Sequence, residues 1–286
     1  MSSEAFTFRR RGEVAALVCR PLEAAGFRHG FSTRLGGVSP LPSDALNLGY
    51  FAGDAPENVT ENRRRFLSVL GESRDRLHTL RQLHEAAVHT LDDVAPTETE
   101  PRAGDAWVGR DPARWAAVYT ADCQAVLLGC PRTGAFAAVH AGWRGTLARV
   151  VEQTVARLEA EFGVRPEDLI AALGPAASAA HYEVGEEVVE AFHAAFPMEA
   201  AAWLQRPLGA RKFHLDIPQA NARQLARAGV RPERVYASGW CTMARVDLFF
   251  SYRRERGRGA VGRLIAAIGR PERSDPSRAV ASPLGD

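Results

Sequence analysis

Apolar residues recur along the chain in two rhythms. Short apolar runs bounded by turn residues read as buried strands: "WAAVYT", "AVLLGC", "AFAAVH", "LIAALG", "RVYASGW" and "AVGRLIAAIG". Between them lie segments of helical period. "TENRRRFLSVLG" predicts a helix with Thr60 as its N-cap and Gly71 as its stop. After "AGWRG", Leu147, Val150, Val151, Val155, Leu158 and Phe162 share one face of a helix that Gly163 ends. "GEEVVEAFHAAF" opens with Glu186 and Glu187, where the helix dipole favours carboxylates. "DIPQANARQLARAG" has Asp216 as cap, Pro218 early and Gly229 as stop.

Helices interspersed this regularly exclude an all-β sandwich and predict an α/β (α+β) fold with mixed sheets. No internal repeat or low-complexity linker divides the chain, so residues 1–270 are expected to form one domain. The first residues, with Arg9, Arg10 and Arg11, look loosely held. The Pro-, Ser- and Arg-rich stretch 271–286 reads as an unstructured tail.

Composition narrows the function without naming it. The 286 residues suffice for a substantial core, and their 46% apolar and 24% charged content is ordinary for a globular protein. A formal charge of +2 provides no global field, so neither nucleic acid nor a membrane is expected as a partner. Lys212 is the only lysine, an arginine bias that a GC-rich genome explains. Cys19, Cys123, Cys130 and Cys241 show no CxxC spacing, and no signal-peptide core or membrane-length apolar run is present. The expectation is a cytoplasmic protein with reduced thiols. Oligomeric state is not legible.

The chemistry concentrates in "VYTADCQAVLLGCPRTGAFAAVHAGWRGT". With "PRTG" as a tight turn, Cys130 faces Thr133 and Cys123 falls opposite His140. Directly opposed side chains stand about 4.5–5.5 Å apart at Cβ, which suits two ligands of one zinc ion. Packing and a cysteine–histidine nucleophile pair fit the same spacing, since a lone strand cysteine is most often a small buried hydrophobe. His84, expected at the end of a strand-like run with Gln82 on the same face, is the third ligand candidate. "HEAAVH" carries one residue too many for the zincin motif, because histidines five apart lie about 140° round a helix. His84, Cys123 and His140 together would leave one tetrahedral position open, as a catalytic zinc requires. Asp122 is either a turn residue or a carboxylate aimed at the site. Three glycine-bearing turns carry arginines that could grip an anion: "GFSTRLGGVS" with Arg34, "HAGWRGT" with Arg144, and "FFSYRRERGRG" with Arg253 and Arg254.

"GFSTRLGGVS", "LNLGY" followed by "GDAPENVTENRRR", "RQLH", "YTADCQAVLL", "VHAGWRGT", "YEVGEEV" and "FFSYRR" occur in one order from about His29 to Ile268. In this the chain resembles the YfiH-like family, also called the polyphenol oxidase or laccase-domain family, whose members are described as purine nucleoside phosphorylases. The resemblance implies a layered α/β/β/α domain and a zinc held by His84, Cys123 and His140. It also implies phosphorolysis of adenosine, inosine, guanosine or methylthioadenosine, with adenosine deamination as a companion activity and phenol oxidation as an older attribution. The loop after "FFSYRR" looks longer than the family's, which leaves its ligand contacts open. Eight histidines without an HxH pair do not read as several copper centres. Copper outranks zinc in a nitrogen and sulfur site, so phenol oxidation would follow from copper loading.

The leading expectation is therefore a zinc-dependent purine nucleoside phosphorylase, with nucleoside and phosphate as its small-molecule partners. Arg34 and Arg144 foremost would position phosphate; Asn47, Gln82 and Arg253 join them as substrate-binding candidates. Asp122 and Cys123 are the catalytic candidates beside Arg144, Asp122 as the carboxylate for deamination. The rival enzyme is a metal-free hydrolase with Cys123 as nucleophile and His140 as base. A metal- or partner-binding module without turnover is the non-enzymatic alternative.

Overall fold

A computed structural model describes residues 3–41, 45–50, 53–72, 75–95, 100–209 and 211–271. The expected tail lies outside the described residues, apart from Pro271. Two six-stranded sheets and a three-stranded one carry the fold. The first sheet runs in the spatial order Phe6–Arg11, Val14–Cys19, Arg28–Ser32, Leu264–Gly269, Trp115–Thr120, Leu77–His78. The second runs Val235–Ala237, Ile170–Leu173, Gln124–Gly129, Phe136–Ala141, Ala106–Gly109, Val88–Thr90. Both are mixed and antiparallel in their interiors: the first has a parallel pair at its Leu77–His78 edge only, the second at both edges.

The apolar runs lack polar alternation because both faces of these strands are covered. In Gln124–Gly129, Ala125 and Leu127 point at the first sheet, alongside Val118, Ala266 and Phe31. Val126 and Leu128 point the other way, onto Val151, Val155 and Leu158 of the helix Val150–Phe162 and Leu225 of the helix Ile217–Arg227. The first sheet's outer face takes Phe66, Leu67 and Leu70 from the segment of the helix Pro56–Val69. The result is the helix, sheet, sheet, helix layering that the resemblance implied. Among the described residues no helix is long and apolar enough to cross a membrane.

Several local expectations change. The basic N-terminal stretch is an edge strand in full register with Val14–Cys19, anchored by the buried ring of Phe6. The helix expected to start at Thr60 starts a turn earlier, at Pro56. Proline suits the first helical turn, and the Thr60 hydroxyl instead bonds back to the Pro56 carbonyl. The long helix after "AGWRG" is two helices, Trp143–Leu147 and Val150–Phe162, separated where Arg149 takes φ 60°. Gly163 at φ 59° ends the second, as expected.

The hairpin register also moves by two residues. Pro131 to Gly134 all lie in the turn, closed by Cys130 N–H donating to the Ala135 carbonyl, with Gly134 at φ 77°. Gln124 therefore faces Ala141 and Ala125 faces His140. A slip of two preserves the face, since side chains alternate with period two. Cys123, just ahead of its strand, still lies on the side of His140, but diagonally rather than directly opposite.

Candidate metal centre and cleft

The position opposite Cys123 is Gly142, and its lack of a side chain makes the site. A Cβ there would come within 2.7 Å of Cys123 Sγ and 3.5 Å of the His84 ring. Asp122, at φ 98°, bends the chain into its strand immediately before the cysteine. His140 comes from the paired strand. His84 comes from no strand: it sits in a bend at φ 62°, past an isolated bridge at Arg81. The ligand atoms of His84, Cys123 and His140 all lie within 4.8 Å of one another, and this is the metal-grade trio found among the described residues. The two imidazoles meet edge to face, with centroids 4.7 Å apart.

Asp105, which the sequence reading did not single out, organises this trio. Its carboxylate is fully buried and accepts from His140 Nδ1 at 2.8 Å, and from the backbone N–H groups of Leu83, His84 and Glu85 at 3.3, 3.0 and 2.8 Å. One side chain thus fixes the His140 tautomer, presenting Nε2 to the site, and clamps the loop that carries His84. This is the carboxylate–histidine arrangement that orients metal ligands. Burial works against the charge on Asp105, but the His140 bond and the Glu85 and His84 N–H groups hold its carboxyl below the usual range. Burial likewise opposes the Cys123 thiolate, yet the facing His140 charge and bonds from both histidines lower the thiol. His140 moves the opposite way: burial lowers it, and the Cys123 sulfur and Asp105 more than reverse that. A thiolate between two imidazoles matches the donor set that zinc and copper accept.

The trio opens onto a cleft of about 1150 Å³ lined also by Tyr50, Arg63, Trp107, Tyr119, Tyr252 and Arg263. Gln82 lines it too, but both ends of its amide are engaged: Nε2 donates to the Tyr119 carbonyl and Oε1 accepts from Tyr119 N–H. Cys123 and His84 therefore arrive on segments tied to one strand.

The other candidates are not part of the cleft lining. Asp122 accepts from Thr242 Oγ1 and from Arg253 N–H, each at 2.7 Å, so both its oxygens hold the fold. Asn47 is fully buried; it bonds Gly49 and Asp54 and accepts from Arg263 N–H. Arg34 lines a separate cavity, paired at 2.9 Å with Glu255 and stacked on Phe250. Arg144 is exposed and lies over Trp143, outside the cleft lining. Arg253 stacks on Tyr182 and donates to the Glu183 carbonyl. The arginines that do line the cleft carried no turn motif and were not singled out.

Comparison with known proteins adds the lineage. A family model described as multi-copper polyphenol oxidoreductase laccase matches residues 28–271. The purine nucleoside phosphorylase YfiH of Escherichia coli K12 is 40% identical over 241 residues, covering 83% of this chain and 92% of the relative. A purine nucleoside phosphorylase of Deinococcus radiodurans is 40% identical over 245 residues, 86% of this chain and 90% of its own. The crystal structure of YlmD from Geobacillus stearothermophilus superposes with a TM-score of 0.83 at 31% identity, covering 93% of this chain and 99% of that one. With its motifs, layered fold and histidine–cysteine–histidine trio in agreement, the chain belongs to the YfiH family.

Proposed function

We propose that the chain is a metal-dependent purine nucleoside phosphorylase, splitting adenosine, inosine, guanosine or methylthioadenosine with phosphate to give the base and the ribose 1-phosphate. The observation that carries this reading is the three-ligand trio set in the wall of a cleft with aromatic and arginine lining. Three protein ligands leave a coordination position for chemistry, where a structural zinc takes four. His84, Cys123 and His140 would hold the ion, zinc being our choice, and it would supply Lewis-acid stabilisation of charge at the reacting end.

In phosphorolysis an oxygen of hydrogenphosphate forms the bond to the ribose anomeric carbon. The bond from that carbon to the purine nitrogen breaks, its electron pair leaves with the base, and the phosphate proton ends on the base. The chain's own contribution is orientation and water exclusion. Asp105 keeps His140 and the His84 loop in place, and Tyr50 and Tyr252 give the cleft flat aromatic surface for a purine. Adenosine deamination is the companion activity of this reading. It needs a carboxylate to move protons at the ring, and Glu100 lines the cleft whereas Asp122 is held by Thr242 and Arg253.

One observation favours a second reading. Asp105, His140 and Cys123 are in the order orienter, base and nucleophile. A hydrolase built on them would keep working when the metal is stripped.

The test is to incubate metal-defined, zinc-loaded protein with adenosine, with and without phosphate, and separate the products by chromatography beside Cys123→Ala. Adenine and ribose 1-phosphate, formed only with phosphate, lost on chelation and lost in the variant, are expected. Inosine alone would make the enzyme chiefly a deaminase. Untouched adenosine would remove nucleoside chemistry and leave the hydrolase in front.

A further inference from the structure

Phosphorolysis needs a second substrate, and the cleft contains side chains that neither the trio nor the arginine turns account for. Among the described residues its lining holds four arginines, Arg63, Arg81, Arg102 and Arg263, against one carboxylate, Glu100. On a chain of formal charge +2 this is a local excess of positive charge, and low-dielectric cleft walls focus it.

Two of the four are held in place. Arg63 is 6% exposed; its Nε donates to the Leu48 carbonyl, its Nη2 to the Tyr119 hydroxyl, and its plane lies 4.5 Å over the Tyr50 ring. Its ion-pair partner Asp75 stands off at 3.9 Å. Arg263 donates through Nη1 to the carbonyls of Val261 and Gly262, lies 5.6 Å from the Tyr252 ring, and has its backbone N–H fixed by Asn47. Burial lowers the Arg263 guanidinium, and Arg263 lines the same cleft as the trio. Tyr50, Arg63 and Tyr252 come from "LNLGY", "ENRRR" and "FFSYRR", three separate motifs that converge on one cleft.

We propose that Arg63 and Arg263 form the phosphate subsite of the cleft, replacing Arg34 and Arg144 in that role. This rests on the phosphorylase reading. A guanidinium already oriented by carbonyls and a ring loses little freedom when its fork takes two phosphate oxygens, leaving another free to attack the anomeric carbon. Asn47, expected to touch substrate, becomes a positioning residue that sets Arg263.

Direct binding decides it. Inorganic phosphate is titrated into the zinc-loaded full chain by calorimetry, for the parent, Arg63→Met, Arg63→Lys, Arg263→Met and Arg144→Met, each checked for a cooperative melt. Loss of a charge-assisted contact should raise the phosphate Kd about tenfold or more in Arg63→Met and Arg263→Met. Arg63→Lys should recover part of it, and the phosphate KM should rise while the nucleoside KM holds. If Arg63→Met does not fold, because the Tyr119 hydroxyl loses the Arg63 bond, Arg63→Lys and Arg263→Met carry the test. Unchanged phosphate affinity in those two, no binding by the parent, or loss in Arg144→Met alone overturns the subsite. Phosphate binding without nucleoside cleavage overturns the phosphorylase reading and leaves the subsite standing. Phosphate-dependent cleavage with unaltered affinity in the cleft variants does the reverse.

Discussion

Asp105 and Gly142 show how the trio depends on residues that cannot bind a metal. Asp105 receives four N–H groups, one from a ligand ring and three from the loop bearing another ligand. In Asp105→Asn the new amide group meets N–H donors where a carboxylate oxygen had accepted them. We expect metal affinity to fall about 10- to 100-fold, measured by competition with a chromophoric chelator. Equal affinity in the variant would reduce Asp105 to a bystander. Gly142 has an ordinary φ of −74°, so alanine meets no backbone strain there. The added Cβ instead strikes Cys123 Sγ. Gly142→Ala should therefore displace the thiolate and lower metal affinity at least about tenfold, with an overpacking cost of about 1–3 kcal/mol in the melt. A variant that keeps full metal affinity would show that the sulfur has room to move.

At the level of elements, periodicity spoke clearly wherever packing is regular. The strands "AVLLGC" and "AFAAVH" and the cap–stop pair Asp216 and Gly229 all stand where the pattern put them, the Asp216 carboxylate accepting from Gln219 N–H. What pattern cannot carry is a contact across sequence. His84 sits in an aperiodic bend whose shape is set by Asp105, and no local rhythm marks either residue. The hairpin register failed by two residues because turn length, not strand composition, fixes it, and period two hid the error from the ligand face. Cleft arginines Arg63 and Arg263 lacked the glycine turns that drew attention to Arg34 and Arg144. Gln82 is the sharpest case, since its amide mimics a strand partner for Tyr119 and so docks the His84 loop onto Trp115–Thr120. Gln82→Ala should weaken metal retention severalfold while leaving nucleoside KM unchanged at saturating metal, since two hydrogen bonds worth about 1 kcal/mol each are lost from the loop. A raised KM with intact metal binding would return Gln82 to the substrate site.

The whole molecule is held by the joint between its two large sheets, and a histidine lies in that joint. His29 is 2% exposed and shares a strand face with Phe31, which packs into the core between the sheets. Its Nε2 accepts from Cys19 N–H at 2.9 Å, and its Nδ1 faces the Phe27 carbonyl, so the ring is neutral with its proton on Nδ1. Protonating Nε2 would set one N–H against another in a dry interior. Burial therefore lowers His29 to about 4; the Phe27 carbonyl resists, and Arg9 on the edge strand adds to the lowering. In the unfolded chain the same ring titrates near about 6.5. Between those values the unfolded state binds more protons, so stability rises with pH across the window. The contribution is fully present above about pH 6.5 and drains away as pH falls through about 4; between pH 7 and 5 it amounts to about 2 kcal/mol. Urea unfolding at both pH values should show that loss in the parent chain. His29→Gln keeps an acceptor for Cys19 N–H without a titrating ring, and should be less stable at pH 7 yet lose about 2 kcal/mol less on acidification. Parallel slopes for parent and variant would mean that the acid sensitivity of the sheet-to-sheet joint resides in another group.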